Sequence, residues 1–223
     1  MSLESSLLDD PSDVVSIIDH TNVDPTATEA EIRELCQEVD DYGFCSAVVV
    51  PYHAELADRM LDDRANVAAV IGFPYGIQNS TAKRDEVEEL LEHVDELDMV
   101  MNRTAFANDD HEAVVEDVET VAEAVGDKTL KCIIESPTLS PPEIRRAAGL
   151  VEEGGADFVK TAVGYEGPTD RAEVEAIADG IGSDTEIKAS GGIATFEAVL
   201  EMVRAGATRI GASSGVEIYN STR

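Results

Sequence analysis

The segment Glu186-Ile187-Lys188-Ala189-Ser190-Gly191-Gly192 contains the unit that this chain repeats: a short apolar strand, a glycine turn and then a helix. Its apolar residues predict a strand over Glu186–Ala189, and Thr195–Ala205 beyond the glycines has the periodicity of an amphipathic helix. The same order occurs earlier, where Ala156-Asp157-Phe158-Val159-Lys160-Thr161 precedes the helix-like Arg171–Ile181. Alternating strands and helices predict a parallel sheet with right-handed crossovers.

Eight strand-like segments occur along the chain, and they are short, apolar and rich in Val and Ile, as expected for parallel strands covered by helices. They are Val15–Asp19, Ala47–Val50, Val67–Ile71, Asp98–Met101, Leu130–Ile134, Phe158–Thr161, Glu186–Ala189 and Arg209–Ile210. The remaining helix-like segments are Thr28–Tyr42, Ala54–Leu61, Thr81–Glu96, His111–Val125 and Pro142–Glu153. Eight repeats favour an α/β fold of the closed (β/α)₈ TIM-barrel type. An open doubly wound sheet is the alternative, but no Gly-x-Gly-x-x-Gly follows the first strand.

The length of 223 residues and the absence of a linker predict a single domain over residues 1–223, with about residues 1–12 as an N-terminal arm. No 18-residue apolar stretch occurs, so no transmembrane helix is expected. The start Met1-Ser2-Leu3-Glu4 lacks the basic and apolar pattern of a signal peptide, which favours a cytoplasmic location.

The formal net charge is -31, and the acidic residues are spread along every predicted helix. This charge argues against nucleic acid as a partner, because phosphates would be repelled, and no membrane partner is expected. With only five lysines, the acidic excess resembles adaptation to high salt. Cys36, Cys45 and Cys132 are expected to be free thiols, and the four histidines show no metal-ligand spacing.

Lys160 and Lys188 end consecutive predicted strands, the sixth and the seventh. Adjacent strands lie ~4.8 Å apart, so two inward lysines at one height would be close neighbours. A like charge and partial desolvation both lower the pKa of a lysine, which frees an amine that can attack a carbonyl. Alternatively, one or both lysines pair with core carboxylates such as Glu135 or Asp98, in a structural role.

Further polar residues follow other strands. Asp98 either moves protons for an amine adduct or is a structural partner of Lys131 or Lys160. Ser190-Gly191-Gly192-Ile193 and Gly211-Ala212-Ser213-Ser214-Gly215 follow the seventh and eighth strands, the usual place for phosphate-binding loops in such barrels. Either glycine segment could alternatively be an ordinary turn.

At these residues the chain resembles deoxyribose-phosphate aldolase, a class I aldolase family built on a (β/α)₈ barrel. The matching segments run in the family's order: Ile18-Asp19-His20-Thr21, Val70-Ile71-Gly72-Phe73-Pro74, Asp98-Met99-Val100-Met101-Asn102, Leu130-Lys131-Cys132-Ile133-Ile134-Glu135, Ala156–Thr161, Ile187–Ile193 and Arg209–Gly215. The resemblance implies a lyase that reversibly cleaves 2-deoxy-D-ribose 5-phosphate to acetaldehyde and D-glyceraldehyde 3-phosphate, in deoxyribonucleotide and carbohydrate catabolism. It implies a Schiff-base mechanism with no metal or organic cofactor, and a chain that forms homo-oligomers.

The resemblance also implies roles for individual residues. Lys160 matches the Schiff-base lysine, Lys188 the lysine that perturbs it, and Asp98 the proton-transferring aspartate. Asp19, Thr21 and Lys131 match supporting polar residues. The phosphate-binding positions are Gly164, Ser190, Gly191, Gly192, Gly211, Ser213 and Ser214.

The chain departs from the family pattern at several positions. Ala194 stands where the family usually has arginine, and Thr161-Ala162-Val163 carries fewer hydroxyls than usual. Asn22-Val23-Asp24 and Arg103-Thr104 also differ. These departures bear on substrate affinity, and three alternatives stay open: a Schiff-base aldolase for a different phosphosugar, a phosphosugar isomerase on the same barrel, and a non-catalytic phosphometabolite-binding protein.

Overall fold

A computed structural model describes residues 2–223, in which eight parallel strands close into a barrel in sequence order. The strands are β1 Ile18–Asn22, β2 Ser46–Val49, β3 Asn66–Ile71, β4 Glu96–Val100, β5 Thr129–Ile133, β6 Phe158–Lys160, β7 Glu186–Ser190 and β8 Arg209–Ala212. β8 pairs with β1, which closes the sheet. The predicted single-domain (β/α)₈ barrel is therefore confirmed.

Helices cover the outer face of the barrel, and their apolar sides form one core with the outward residues of the strands. They are α1 Leu3–Asp9, α2 Glu29–Tyr42, α3 Ala54–Leu61, α4 Ser80–Leu90, α5 Arg103–Ala107, α6 His111–Val125, α7 Pro141–Glu153, α8 Arg171–Ala178, α9 Phe196–Ala205 and α10 Gly215–Asn220. Local signals define their ends: Thr28 and Glu31 form a capping box at the start of α2, and Gly43 ends it in the left-handed conformation (φ 74°). No helix within residues 2–223 has both the length and the apolar character required to cross a membrane.

Several predicted boundaries were wrong. β1 begins at Ile18 and not at Val15, because Asp10 caps a 3₁₀ helix over Pro11–Ile17 that buries Val14 and Ile17 on its own apolar side. α4 ends at Leu90, and Glu96 belongs to β4. α8 ends at Ala178, three residues short of Ile181. The short helices α5 and α10 had no separate sequence signal, and α1 lies within the predicted N-terminal arm, with Leu7 buried.

One buried ion pair lies outside the barrel, between α4 and α6. The Lys83 ammonium donates to Asp117 Oδ2 (2.6 Å) and to the backbone oxygen of Val100 (2.8 Å), the last residue of β4. Both side chains are fully buried. The pair therefore links two helices to the end of β4, the strand that also carries Asp98.

Asp117→Asn should lower the free energy of unfolding by about 3–5 kcal/mol, because it leaves the Lys83 ammonium buried without a counter-charge. Lys83→Met combined with Asp117→Leu should recover much of this loss, since no charge is then buried. Urea denaturation would measure both. Glu175→Gln, which removes the exposed ion pair with Arg171 (2.7 Å), is the control and should change stability by less than about 1 kcal/mol. A double variant no more stable than Asp117→Asn would contradict the prediction.

Candidate active site

Lys160 and Lys188 are directly paired across β6 and β7, so the predicted neighbourhood of the two lysines is confirmed. Lys160 is 5% exposed and Lys188 fully buried, and both side chains enter the barrel interior. The same register places Ile133 beside Lys160 and Arg209 beside Lys188. Strand pairing alone therefore brings the two amines to one height in the barrel.

The Asp98 carboxylate bridges the two amines. Its Oδ2 accepts from Lys160 Nζ (2.6 Å) and from Lys188 Nζ (2.7 Å), and its Oδ1 accepts from Lys131 Nζ (3.0 Å). The alternative prediction, that the lysines form ion pairs with Asp98, is therefore confirmed as well. The expectation for Glu135 was wrong: within the described residues it forms no ion pair with a lysine, and its Oε2 accepts the backbone N–H of Val163 (3.0 Å).

A second layer of charges lies below Asp98. Asp19 contacts Lys188 Nζ at 2.5 Å and accepts from Arg209 Nη1 (2.7 Å) and Ser46 Oγ (2.7 Å). Lys131 pairs with Glu96, which also lies 3.3 Å from Arg209. Sequence reasoning missed Glu96 and Arg209 as members of this cluster. The period of two along a strand could have found them, because Glu96 shares a face with Asp98 and Arg209 with Gly211.

The surroundings of each group decide its protonation. Burial alone would raise the pKa of Asp98, but the ammonium groups of Lys131, Lys160 and Lys188 hold that pKa well below its usual range. Burial would likewise lower the pKa of Lys131, but Asp98, Asp19 and Glu96 raise it. For Lys160 burial is the larger effect, supported by the positive charge of Lys188, and the pKa falls to about 8 although Asp98 opposes the shift.

The charge count of the cluster explains why one lysine can be neutral. Three carboxylates face four cationic side chains: Asp19, Glu96 and Asp98 against Lys131, Lys160, Lys188 and Arg209. With Lys160 as the free amine, three positive charges match three negative charges. Loss of the Lys160 proton therefore removes an excess charge from a buried site, where an uncompensated charge is costly.

The pH dependence of adduct formation follows from the lowered pKa of Lys160. The rate of covalent capture of a carbonyl compound should rise about tenfold per pH unit below a pKa of about 8 and level off above it, because only the free amine attacks. Single-turnover trapping with borohydride, quantified by mass spectrometry, measures this profile. A midpoint near the ordinary lysine value of about 10.4 would contradict the arrangement.

A cavity of about 630 Å³ opens from Lys160 to the C-terminal ends of the strands. All of the predicted phosphate-binding residues line it, namely Gly164, Ser190, Gly191, Gly192, Gly211, Ser213 and Ser214. Thr21 also lines it and donates to the Asp19 backbone oxygen (2.9 Å). The structure thus brings the amine and both glycine-rich loops to one cavity.

Glycine is required in these loops by geometry. Gly191 (φ 109°) and Gly192 (φ 74°) lie in the left-handed region, and a side chain at Gly211 would collide with the Ser190 hydroxyl. That hydroxyl is buried and has no hydrogen-bond partner among the described residues. A buried polar group without a partner at a cavity wall is a natural contact for a polar ligand.

No group of three or more His, Cys, Asp or Glu side chains within residues 2–223 is arranged to hold a metal ion. Cys36 and Cys132 are buried, Cys45 is half-buried, and all three are free thiols. Burial raises the pKa of the Cys45 thiol to about 11.

Comparison with known proteins gives the family. The family model for DeoC/LacD family aldolases matches residues 14–221. The chain belongs to the DeoC/LacD aldolase family. This aldolase is 41% identical over 209 residues to deoxyribose-phosphate aldolase of Staphylococcus carnosus, covering 92% of this chain and 95% of that protein. It is 41% identical to the Thermococcus gammatolerans enzyme of the same name over 95% of this chain and 97% of that protein.

Solved structures agree with this assignment. The deoxyribose phosphate aldolase from Aeropyrum pernix, described as a tetramer, superposes with a TM-score of 0.88 at 31% identity. The match covers 98% of this aldolase and 94% of that chain. The similarity therefore extends over the whole barrel, including both lysine-bearing strands.

Proposed function

We propose that this aldolase reversibly cleaves 2-deoxy-D-ribose 5-phosphate to acetaldehyde and D-glyceraldehyde 3-phosphate, with Lys160 as the Schiff-base nucleophile. The observation that carries the proposal is a buried amine with a pKa of about 8 at the inner end of a cavity whose walls include two glycine- and serine-containing loops. Curated relatives at 41% identity carry the name of this activity.

In the proposed mechanism, Lys160 Nζ attacks the C1 aldehyde of the open-chain sugar, and loss of water gives a protonated imine. The imine withdraws electrons as the C3 hydroxyl loses its proton and the C2–C3 bond breaks, which releases D-glyceraldehyde 3-phosphate and leaves an enamine. Protonation at C2 and hydrolysis then release acetaldehyde and restore the amine. Asp98, within hydrogen-bond reach of both Lys160 and Lys188, transfers protons between the amine and the adduct.

The other predicted residues have supporting roles in this proposal. Asp19 and Lys131 hold Lys188 and Asp98 in place through the contacts of the second layer. The substrate phosphate binds to the backbone N–H groups and hydroxyls of the Ser190–Gly192 and Gly211–Ser214 loops and to Gly164, which lines the same cavity. Neither the imine nor the bond cleavage requires a metal or an organic cofactor.

A phosphosugar isomerase would need an available carboxylate base. The carboxylates of β1 and β4, namely Asp19, Glu96 and Asp98, are instead all engaged in ion pairs with lysines, and none of them lines the cavity in which the substrate would lie. An aldolase for a different phosphosugar and a non-catalytic binding protein would keep the same lysine cluster, so substrate turnover must separate them.

The deciding experiment incubates the protein with 2-deoxy-D-ribose 5-phosphate and measures acetaldehyde through coupled oxidation of NADH. We expect acetaldehyde release, with other phosphosugars cleaved more slowly. Binding without any acetaldehyde would overturn the proposal, and conversion to an isomeric sugar phosphate without cleavage would favour the isomerase.

We also propose that the acidic surface is an adaptation to high salt. The net charge of -31 makes the folded state repel itself, and the Debye length falls from ~10 Å at 0.1 M salt to ~3 Å at 1 M. The melting temperature should therefore rise steeply with KCl, measured by calorimetry. A melting temperature indifferent to salt would contradict the adaptation.

A cytoplasmic location, a role in deoxyribonucleotide catabolism and assembly of identical chains stay predictions for this aldolase. The related protein from Aeropyrum pernix is described as a tetramer. Light scattering of the purified chain would measure its own oligomeric state.

A further inference from the structure

The outer part of the active-site cavity is lined by carboxylates. Asp24, Glu31, Glu34 and Glu38 belong to the β1–α2 loop and to α2, and all four line the cavity that holds Lys160. Among residues 2–223, one lysine and no arginine line this cavity. We call these four carboxylates the acidic collar. A cavity that takes a phosphorylated sugar therefore has, among the described residues, no lysine or arginine in its wall apart from its own nucleophile.

Two contact chains connect the collar to the proposed phosphate loops. Tyr165, which follows Gly164, donates to the Val23 backbone oxygen (2.9 Å), and Val23 precedes Asp24. On the other side, the Glu38 carboxylate lies 2.7 Å from Nε2 of the buried His20. The His20 ring packs so closely against Gly215, which follows Ser214, that a side chain at Gly215 would come within 2.8 Å of Nδ1. The collar thus adjoins the loops that contact the substrate phosphate.

Arg103 lies outside the cavity and does not compensate for this charge. Arg103, which follows β4, forms an ion pair with Glu166 (3.0 Å) and also contacts Thr138. Ala194, directly after the Gly191-Gly192-Ile193 segment, contributes no charge to the wall. The buried Ser190 hydroxyl without a partner remains a local donor for a phosphate oxygen, so the site combines neutral donors with a negative entrance.

We propose that the acidic collar makes the preference of this aldolase for a phosphorylated substrate depend on ionic strength. At low salt the four carboxylates repel the phosphate dianion and leave the uncharged sugar unaffected. At high salt their charges are screened, because the Debye length at ~1 M salt is ~3 Å, and the neutral donors of the loops then bind the phosphate. This inference rests on the proposed function.

The test compares 2-deoxy-D-ribose 5-phosphate with 2-deoxy-D-ribose from about 0.1 M to about 1 M KCl, the interval over which screening becomes short-ranged. The KM for the phosphorylated sugar should fall by about three- to tenfold, while the KM for 2-deoxy-D-ribose changes little, because only the dianion is repelled over a distance. A KM does not depend on the fraction of folded protein, so unfolding of part of the enzyme at low salt would not affect this comparison.

Glu34→Lys is the sharpest variant. Glu34 is exposed, and within the described residues its side chain forms no hydrogen bond, whereas Glu31 caps α2 and Glu38 holds His20. The substitution should lower the low-salt KM for the phosphorylated sugar by about threefold or more and flatten its salt dependence. Glu119→Lys on α6, an exposed position that does not line this cavity, makes the same change in net charge and should do neither.

The outcomes separate the two proposals. If both sugars are cleaved and their KM values respond equally to salt, or if Glu119→Lys acts like Glu34→Lys, the role of the collar is overturned and the aldolase activity stands. If neither sugar is cleaved at any salt concentration, the proposed function itself fails.

Discussion

Replacing Lys160 with leucine should abolish the borohydride-trapped acetaldehyde adduct and lower kcat/KM by roughly 10⁴-fold or more. In the proposed mechanism, the covalent intermediate forms on this amine. Substitution of a catalytic nucleophile lowers the reaction rate by on the order of 10⁴–10⁶-fold. Peptide mapping by mass spectrometry should place the adduct of the unmodified chain on Lys160. The variant should still fold, because the cluster contains one more cationic side chain than carboxylates and Lys160→Leu removes this excess cation.

The control is Lys128→Met. Lys128 lies outside the cluster and donates to the Val94 backbone oxygen, so its loss should leave the adduct and the turnover unchanged. An adduct mapped to Lys188 or Lys131 would assign the nucleophile to that residue instead. Cleavage of the substrate with no trappable adduct at any pH would overturn the imine mechanism.

Lys188→Leu is the second prediction, with turnover reduced by about 10²–10⁴-fold, the range expected for loss of a proton-transfer partner. The pH optimum should move to higher pH. Lys160 would lose a like charge that lowers its pKa, and Asp98, relieved of Lys188, would hold the Lys160 proton more tightly. The pH profile of kcat and of imine trapping would measure both effects.

Lys83→Leu is a matched control for this variant, since Lys83 and Lys188 are both fully buried and each forms an ion pair with a buried aspartate. Both variants should be less stable in urea, because Lys83→Leu leaves Asp117 without its counter-charge and Lys188→Leu removes one of the cations paired with the buried Asp98 and Asp19. Only Lys188→Leu should move the pH optimum. An equal shift in both variants would mean that the effect is structural, and normal kinetics of Lys188→Leu would remove this lysine from the mechanism.

The register of the two lysine-bearing strands could be predicted from the sequence because it depends on the local pattern of apolar residues. Lys160 and Lys188 each end an apolar segment of similar length before a turn, and parallel pairing of consecutive strands then aligns them. The start of β1 could not be predicted from the sequence. Val14 and Ile17 are buried apolar residues of a 3₁₀ helix, and a strand would equally have required apolar residues there. The short helices α5 and α10 were missed for a related reason. Each is little more than one helical turn long, which is too short to show the periodicity of an amphipathic helix.

The sequence by itself determined the barrel, the neighbouring lysines and the glycine loops, because each depends on short-range periodicity and on the order of consecutive strands. Only the tertiary structure decided which carboxylate bridges the lysines and which lysine can be neutral. Asp98 is 90 residues from Lys188, and Glu96 is 113 residues from Arg209. These contacts arise only when the barrel closes, and the protonation of Lys160 depends on the sum of all the charges that closure brings together.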